Sequence, residues 1–209
     1  MEKLRVGVLA SGRGSNLQAI IDRSLAGDID VEVAVVLSDV PDAHALDRAR
    51  QAGIPALHVP PGRFRTKLTP EAETSYVETL EEHGVELVAL AGFMRILHDS
   101  FLERYAGRVV NVHPALLPSF PGLHGPKQAV EYGVKWSGAT VHFVDAGVDT
   151  GPIILQAAVP VMDDDTEDSL AARILEQEHR IYPEALQLIA HRKLRVDGRL
   201  VKVAGDNDA

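Results

Sequence analysis

Three short segments carry residue types able to do chemistry. The first is Asn111-Val112-His113-Pro114. Alternate side chains of an extended strand share a face, so Asn111 and His113 point the same way. Pro114 ends that strand, which puts both groups at a strand's C-terminal edge, where open α/β sheets place their ligands. A carboxamide beside an imidazole suits stabilisation of a developing oxyanion together with proton transfer. The competing reading is a histidine that satisfies its hydrogen bonds at a strand end and does no more.

The second segment is the loop Val144-Asp145-Ala146-Gly147-Val148-Asp149-Thr150-Gly151-Pro152. Turn chemistry accounts for much of its composition. Asp149 also has a functional reading, because a carboxylate beside His113 would favour the imidazolium. Acids gather here and at Asp163-Asp164-Asp165, but without the spacing of a calcium loop, so no metal is expected. Asp163–Asp165 read as solvated residues and start signals for a helix at Thr166.

The third segment, Ser11-Gly12-Arg13-Gly14-Ser15-Asn16, separates a strand from a helix. Backbone N–H groups and the helix dipole suit a phosphate there, with Arg13 adding charge and Ser15 a hydroxyl. Leu17 stands where a dinucleotide fingerprint has its third glycine, and no Gly-Lys-Ser/Thr follows, so a monophosphate is favoured. A tight turn without ligand is the alternative. Two weaker signals remain. Met94-Arg95-Ile96-Leu97 is either core with one surface cation or the wall of a pocket for a flat ligand. Gln177-Glu178-His179 falls mid-helix, where such residues ordinarily form a solvated face.

The elements that must position these groups alternate. Strands are expected at Leu4–Ala10, Val31–Leu37, Pro55–Val59 and Val85–Ala91. Helices are expected from Asn16 to Ala26, from Asp42 to Ala52, and from Thr69-Pro70 to Gly84. This is the grammar of a parallel sheet with helical crossovers. Arg108–Val112, Ala139–Val144 and Ile153–Val159 are further strands, the last two antiparallel because Asp145–Pro152 is too short for a crossover. A long helix should span Thr166–Ala190, Asp197-Gly198 should turn a hairpin, and Ala204–Ala209 should fray. The expected fold is a single-domain α/β structure. Its sheet is open, twisted and mostly parallel, with helices on both faces and a Rossmann-like N-terminal half.

Composition narrows the function. The 209 residues can bury a real core, and a net charge of −9 argues against nucleic-acid or anionic-membrane binding. There is no cysteine, so disulfides and thiolate chemistry are excluded. No signal peptide precedes the strand at Leu4 and no apolar run approaches the roughly 20 residues of a membrane span, so a soluble, cytoplasmic protein is expected.

Five blocks in order resemble the formyltransferase family, in particular its free-standing members that act on glycinamide ribonucleotide. They are SGRGSNLQAII at 11–21, LAGFMRIL at 90–97, NVHPALLPSFPGLHG at 111–125, TVHFVDAGVDTGPIILQ at 140–156 and QEHRIYP at 177–183. The resemblance implies a formyltransferase fold over 1–209. Its N-terminal half, about 1–100, would bind the phosphate, and about 101–195 would be catalytic and folate-binding. It implies that Asn111, His113 and Asp149 are catalytic. Ser11, Gly12, Arg13, Gly14, Ser15 and Asn16, with Glu178 at the glycinamide end, would bind the ribonucleotide. Met94, Arg95, Ile96 and Leu97, together with Asn111 and the loop Asp145, Ala146, Gly147, Val148 and Asp149, would bind the folate.

The implied reaction moves a formyl group from 10-formyltetrahydrofolate to the amine of glycinamide ribonucleotide in purine synthesis, with no metal, in a monomer or homodimer. The sequence departs from the shortest family members at Pro60–Glu73, where Arg63, Arg65 or Lys67 is a candidate folate contact and the segment a candidate lid. A formyltetrahydrofolate hydrolase would carry an extra N-terminal domain, and a methionyl-tRNA formyltransferase an extra C-terminal domain with a basic surface; neither is expected here. A non-catalytic folate- or nucleotide-binding module would be marked by loss of one of the three catalytic residues, and a Rossmann reductase by the third glycine.

Overall fold

The computed structural model describes residues 2–203 and forms two compact units that meet in sequence at Val110 and Asn111. The first unit contains β1 (Leu4–Leu9), α1 (Ser15–Ala26), β2 (Val31–Ser38), α2 (His44–Gln51), β3 (Ala56–His58), α3 (Pro70–Glu82), β4 (Leu87–Leu90) and α4 (Asp99–Arg104). Its strands run in the order β3-β2-β1-β4, all parallel. Near-continuous apolar runs make β1, β2 and β4 suitable for burial on both faces, and Val6, Val8, Val35, Val36 and Val88 are fully buried. Leu9 lies opposite both Leu37 and Leu90, so the three central strands end level. The loops at 10–14, 39–43 and 91–98 therefore leave one edge of the sheet together.

Helix ends follow the residues that favour them. Gly27 closes α1 in the left-handed conformation, and the Thr69 hydroxyl accepts from the Ala72 N–H at 3.2 Å with Pro70 in the first turn of α3. Helix α2 starts at His44 and not near Asp42, because Val40–Ala43 form a turn closed by Ala43 N–H to Val40 O at 3.3 Å. Helix α4, which periodicity did not reveal, is short, and the buried Glu73 carboxylate receives the His98 N–H at 2.6 Å and the Ser100 hydroxyl at its start.

Strand β5 (Val109–His113) leads into the second unit, which holds α5 (Gly125–Tyr132), β6 (Trp136–Phe143), β7 (Ile153–Pro160), α6 (Glu167–Ala190), β8 (Leu194–Asp197) and β9 (Leu200–Val203). Strands β6 and β7 are antiparallel, as their short connection requires. β6 begins three residues before the expected Ala139. At Gly138 a Cβ would lie 2.0 Å from Ala157 O, so the glycine permits close pairing with β7. β8 and β9 form the hairpin expected at Asp197-Gly198. The fraying expected over Ala204–Ala209 falls outside the described residues. Among the described residues, no helix is long and apolar enough to cross a membrane.

Candidate active site

β5 alternates as its sequence requires and ends at Pro114, which brings Asn111 and His113 onto one face. His113 is buried, and its two ring nitrogens face two acceptors. Nε2 lies 2.8 Å from Phe120 O, and Nδ1 lies 3.3 Å from Asp149 Oδ2. Only the doubly protonated ring presents a proton to both. The second carboxylate oxygen, Asp149 Oδ1, lies 3.6 Å from Nε2 of the buried His142. His142 Nδ1 donates to Phe143 O at 2.8 Å, and its Nε2 is 3.4 Å from Asn111 Nδ2. One chain of contacts thus runs Asn111–His142–Asp149–His113.

The charge balance at Asp149 follows from these neighbours. Burial pushes its carboxyl up, but hydrogen bonds from His142 and from the Gly122 N–H (2.8 Å), with the charges of His113 and His142, outweigh it and hold the group below its ordinary value. The loop supports this placement. Asp145 accepts from Gly147 N–H at 3.1 Å and from the Thr150 hydroxyl at 2.6 Å, and Arg199 Nη1 donates to Thr150 O at 2.8 Å. Ala146, Gly147 and Val148 are exposed at its tip. Among the described residues no group of three or more acids and histidines is placed to hold a metal.

In the first unit the Ser11–Asn16 loop is held on two sides. The Ser11 hydroxyl accepts from Met94 N–H at 2.9 Å, and Ser11 N–H donates to Gly92 O at 3.0 Å. From α2, Ala45 N–H donates to Gly12 O at 3.0 Å and Arg48 Nε to Arg13 O at 2.8 Å. Gly14 has φ 69°, and a Cβ there would lie 2.8 Å from the Cα and Cβ of Ala45, so only glycine fits. Without a side-chain cap, α1 begins at Ser15 with its N–H dipole directed into this loop, while Asn16 is buried and the Arg13 side chain is exposed.

Four placements differ from simple expectation. Glu178 is buried, not solvated: it lies four residues from Ile174 and four from Tyr182, on the apolar stripe of α6, and burial followed by the Glu178 charge raises the Tyr182 phenol. Asp165 is an internal staple, receiving Arg173 at 2.7 and 2.9 Å and the Ser169 hydroxyl at 2.7 Å. Arg95 points inward to Asp39, while Met94 and Ile96 are exposed and Leu97 is buried. His142 was missed, because a histidine inside a buried strand reads as core. Its signal was the alternation that puts it on the same face of β6 as Thr140.

Known proteins match most of the chain. The profile of the formyl transferase family matches residues 4–186. The phosphoribosylglycinamide formyltransferase of Escherichia coli is 44% identical over 193 residues, which are 92% of this chain and 90% of that protein. The trifunctional purine biosynthetic protein adenosine-3 of Drosophila melanogaster is 51% identical over 189 residues, and the chain spans 14% of its length. Glycinamide ribonucleotide transformylase 1 from Symbiobacterium toebii, a crystal structure, matches with a TM-score of 0.93 at 51% identity, covering 98% of this chain and 95% of that one.

Proposed function

We infer that this chain, which belongs to the formyl transferase family, transfers the formyl group of 10-formyltetrahydrofolate to the amine of glycinamide ribonucleotide in purine biosynthesis. The observation that carries the reading is the buried His113–Asp149 contact, joined to Asn111 through His142. Acyl transfer to an amine needs hydrogen-bond donors for an oxyanion, and the Asn111 amide and the His113 ring are the donors that support this reading. The sequence relationship to enzymes named for this reaction supports the choice of substrates.

In the reaction the amine lone pair forms a bond to the formyl carbon, and the carbonyl π pair moves onto oxygen. Asn111 Nδ2–H and an N–H of the His113 imidazolium stabilise that oxyanion, an effect worth roughly 3–4 kcal/mol for one donor. For Nε2 to serve, its hydrogen bond to Phe120 O is exchanged for one to substrate. Asp149 pairs with the ring at Nδ1 and holds a water that carries the proton lost by the amine. The oxyanion then collapses, the bond to the folate nitrogen breaks, and that nitrogen takes the proton. Products are formylglycinamide ribonucleotide and tetrahydrofolate. Ser11–Asn16 bind the phosphate, Glu178 the glycinamide end, and Met94–Leu97 with the 145–149 loop the folate. Both substrates are small and soluble, in keeping with a cytoplasmic enzyme.

The test is formyl transfer, followed by folate absorbance with and without glycinamide ribonucleotide, for wild type and His113→Ala. Turnover that requires the ribonucleotide and collapses by about 10²–10³-fold in the variant is expected. Loss of formyl folate without the ribonucleotide would instead identify a hydrolase, and absence of turnover a binding module.

A further inference from the structure

The segment 61–69 carries three cations in five residues, Arg63, Arg65 and Lys67. Arg63 and Lys67 flank the Phe64 ring at 5.3 and 4.8 Å from its centroid, and both line a cavity of about 820 Å³ with Thr69, Glu73 and His98. Much of the segment is exposed and it has few apolar side chains to bury, so it needs fixed anchors to keep one shape. Thr69 N–H closes it onto Pro61 O at 3.1 Å, and Ile96 N–H reaches Thr66 O at 2.9 Å. Leu68 is fully buried at the far end of the segment, and a further anchor is the side chain of Arg95. Arg95 Nη1 donates to Phe64 O at 2.8 Å and also to Arg65 O.

What aims Arg95 is Asp39. Its Oδ2 accepts from Arg95 Nε at 2.6 Å, and its side chain is only 2% exposed. The guanidinium is a rigid plane, so fixing Nε sets where Nη1 points. Dependence runs both ways, because Asp39 Oδ1 has no hydrogen-bond partner among the described residues, and the charge of Arg95 offsets the burial of the carboxylate. Asp39 immediately follows β2 and Arg95 comes five residues after β4, so the pair fastens the segment to the sheet edge from which the Ser11–Asn16 loop also leaves.

We propose that Asp39 and Arg95 form a clasp that holds the basic strap 61–69, and that Asp39 is thereby a positioning residue for the folate co-substrate. The second clause rests on the formyl-transfer reading, in which Met94–Leu97 bound the folate. The strap is a fixed wall in this view, and not a lid that opens in each turnover.

Wild type, Asp39→Asn, Asp39→Ala and Arg95→Lys would be compared in two assays. Limited trypsin digestion without ligand reads cleavage after Arg63, Arg65 and Lys67. Steady-state kinetics reads the KM for each substrate and kcat. Strap cleavage about tenfold faster than wild type is expected in all three variants, since a charge-assisted hydrogen bond is lost or misaimed. For the Asp39 variants the KM for 10-formyltetrahydrofolate should also rise about tenfold, with kcat and the KM for glycinamide ribonucleotide within about twofold. Strap cleavage at the wild-type rate, or cleavage accelerated equally at all sites, would overturn the clasp. Faster strap cleavage with an unchanged folate KM would overturn the positioning role. If wild type lacks formyl transfer, the functional reading fails while the trypsin result still decides the clasp.

Discussion

Phe120 and Asp149 flank the His113 ring at its two nitrogens, and both adopt left-handed backbone, with φ of 56° and 54°. For residues with a side chain this conformation costs on the order of 1–2 kcal/mol each, and it persists only where the surroundings hold it. The Gly122 N–H, donated to Asp149 Oδ2, ties the two loops together. Backbone strain at both acceptors is thus coupled to the orientation of one imidazole.

Replacing Asp149 by Asn keeps the shape and removes the charge. The folded-state value of Asp149 lies below its ordinary one, so its ionisation favours folding fully above the unfolded value, about pH 3.9, and that contribution is lost as pH falls through the folded value. Asp149→Asn should melt below wild type at pH 7, with the gap closing progressively under about pH 3.9. Melting curves from pH 7 to pH 2.5 check this, and a gap that widens in acid would refute it.

His142 aligns Asp149 and Asn111 from within β6. His142→Ala should lower kcat about tenfold, the effect of losing one hydrogen bond in a polar network, while the KM for the ribonucleotide stays near wild type. Steady-state kinetics of both substrates would show it. A pure rise in that KM would place His142 in binding instead.

Gly14→Ala forces a Cβ against Ala45 in a backbone conformation that side chains disfavour. The fold should lose about 1–3 kcal/mol, which for a chain of this size lowers Tm by several degrees. The KM for the ribonucleotide should rise more than that for folate. Calorimetry with product-formation kinetics decides, and equal effects on both substrates would argue against a phosphate at this loop.

Asp165 receives Arg173, Ser169 and the Met162 N–H, and hydrogen bonds from Arg173 foremost hold its carboxyl well below the usual range. A depressed folded value favours folding above the unfolded one and fades in acid. Asp165→Asn should lower Tm at pH 7, less so at pH 3, with kcat unchanged at 25 °C. Thermal denaturation at the two pH values is the measurement.

How far the sequence spoke depended on whether a feature is local. Gly27, Thr69 and Thr166 marked helix ends through turn and capping chemistry that acts within a few residues. Alternation alone put Asn111 beside His113. The loop that carries Asp149 was legible, but its distance to His113 was not, since 36 positions separate them and it is the place of β6 beside β5 in the sheet that closes the gap. Helix α4 escaped notice because its 6 residues are too few for a period to show, and α5 because it starts after His124 in a left-handed conformation. The inward turn of Arg95 was hidden for a related reason: its partner Asp39 belongs to a different strand end.

The hydrogen bond from Arg199 to Thr150 O has a consequence for biosynthesis. It joins residues 49 apart, across all of β7, α6 and β8. A chain emerging from the ribosome can order the first unit and even close β6 on β7 well before residue 199 is available. The loop that presents Asp149 gains this brace last. A nascent polypeptide stalled short of the β8–β9 hairpin would therefore hold the 144–152 loop without this brace until the hairpin folds back.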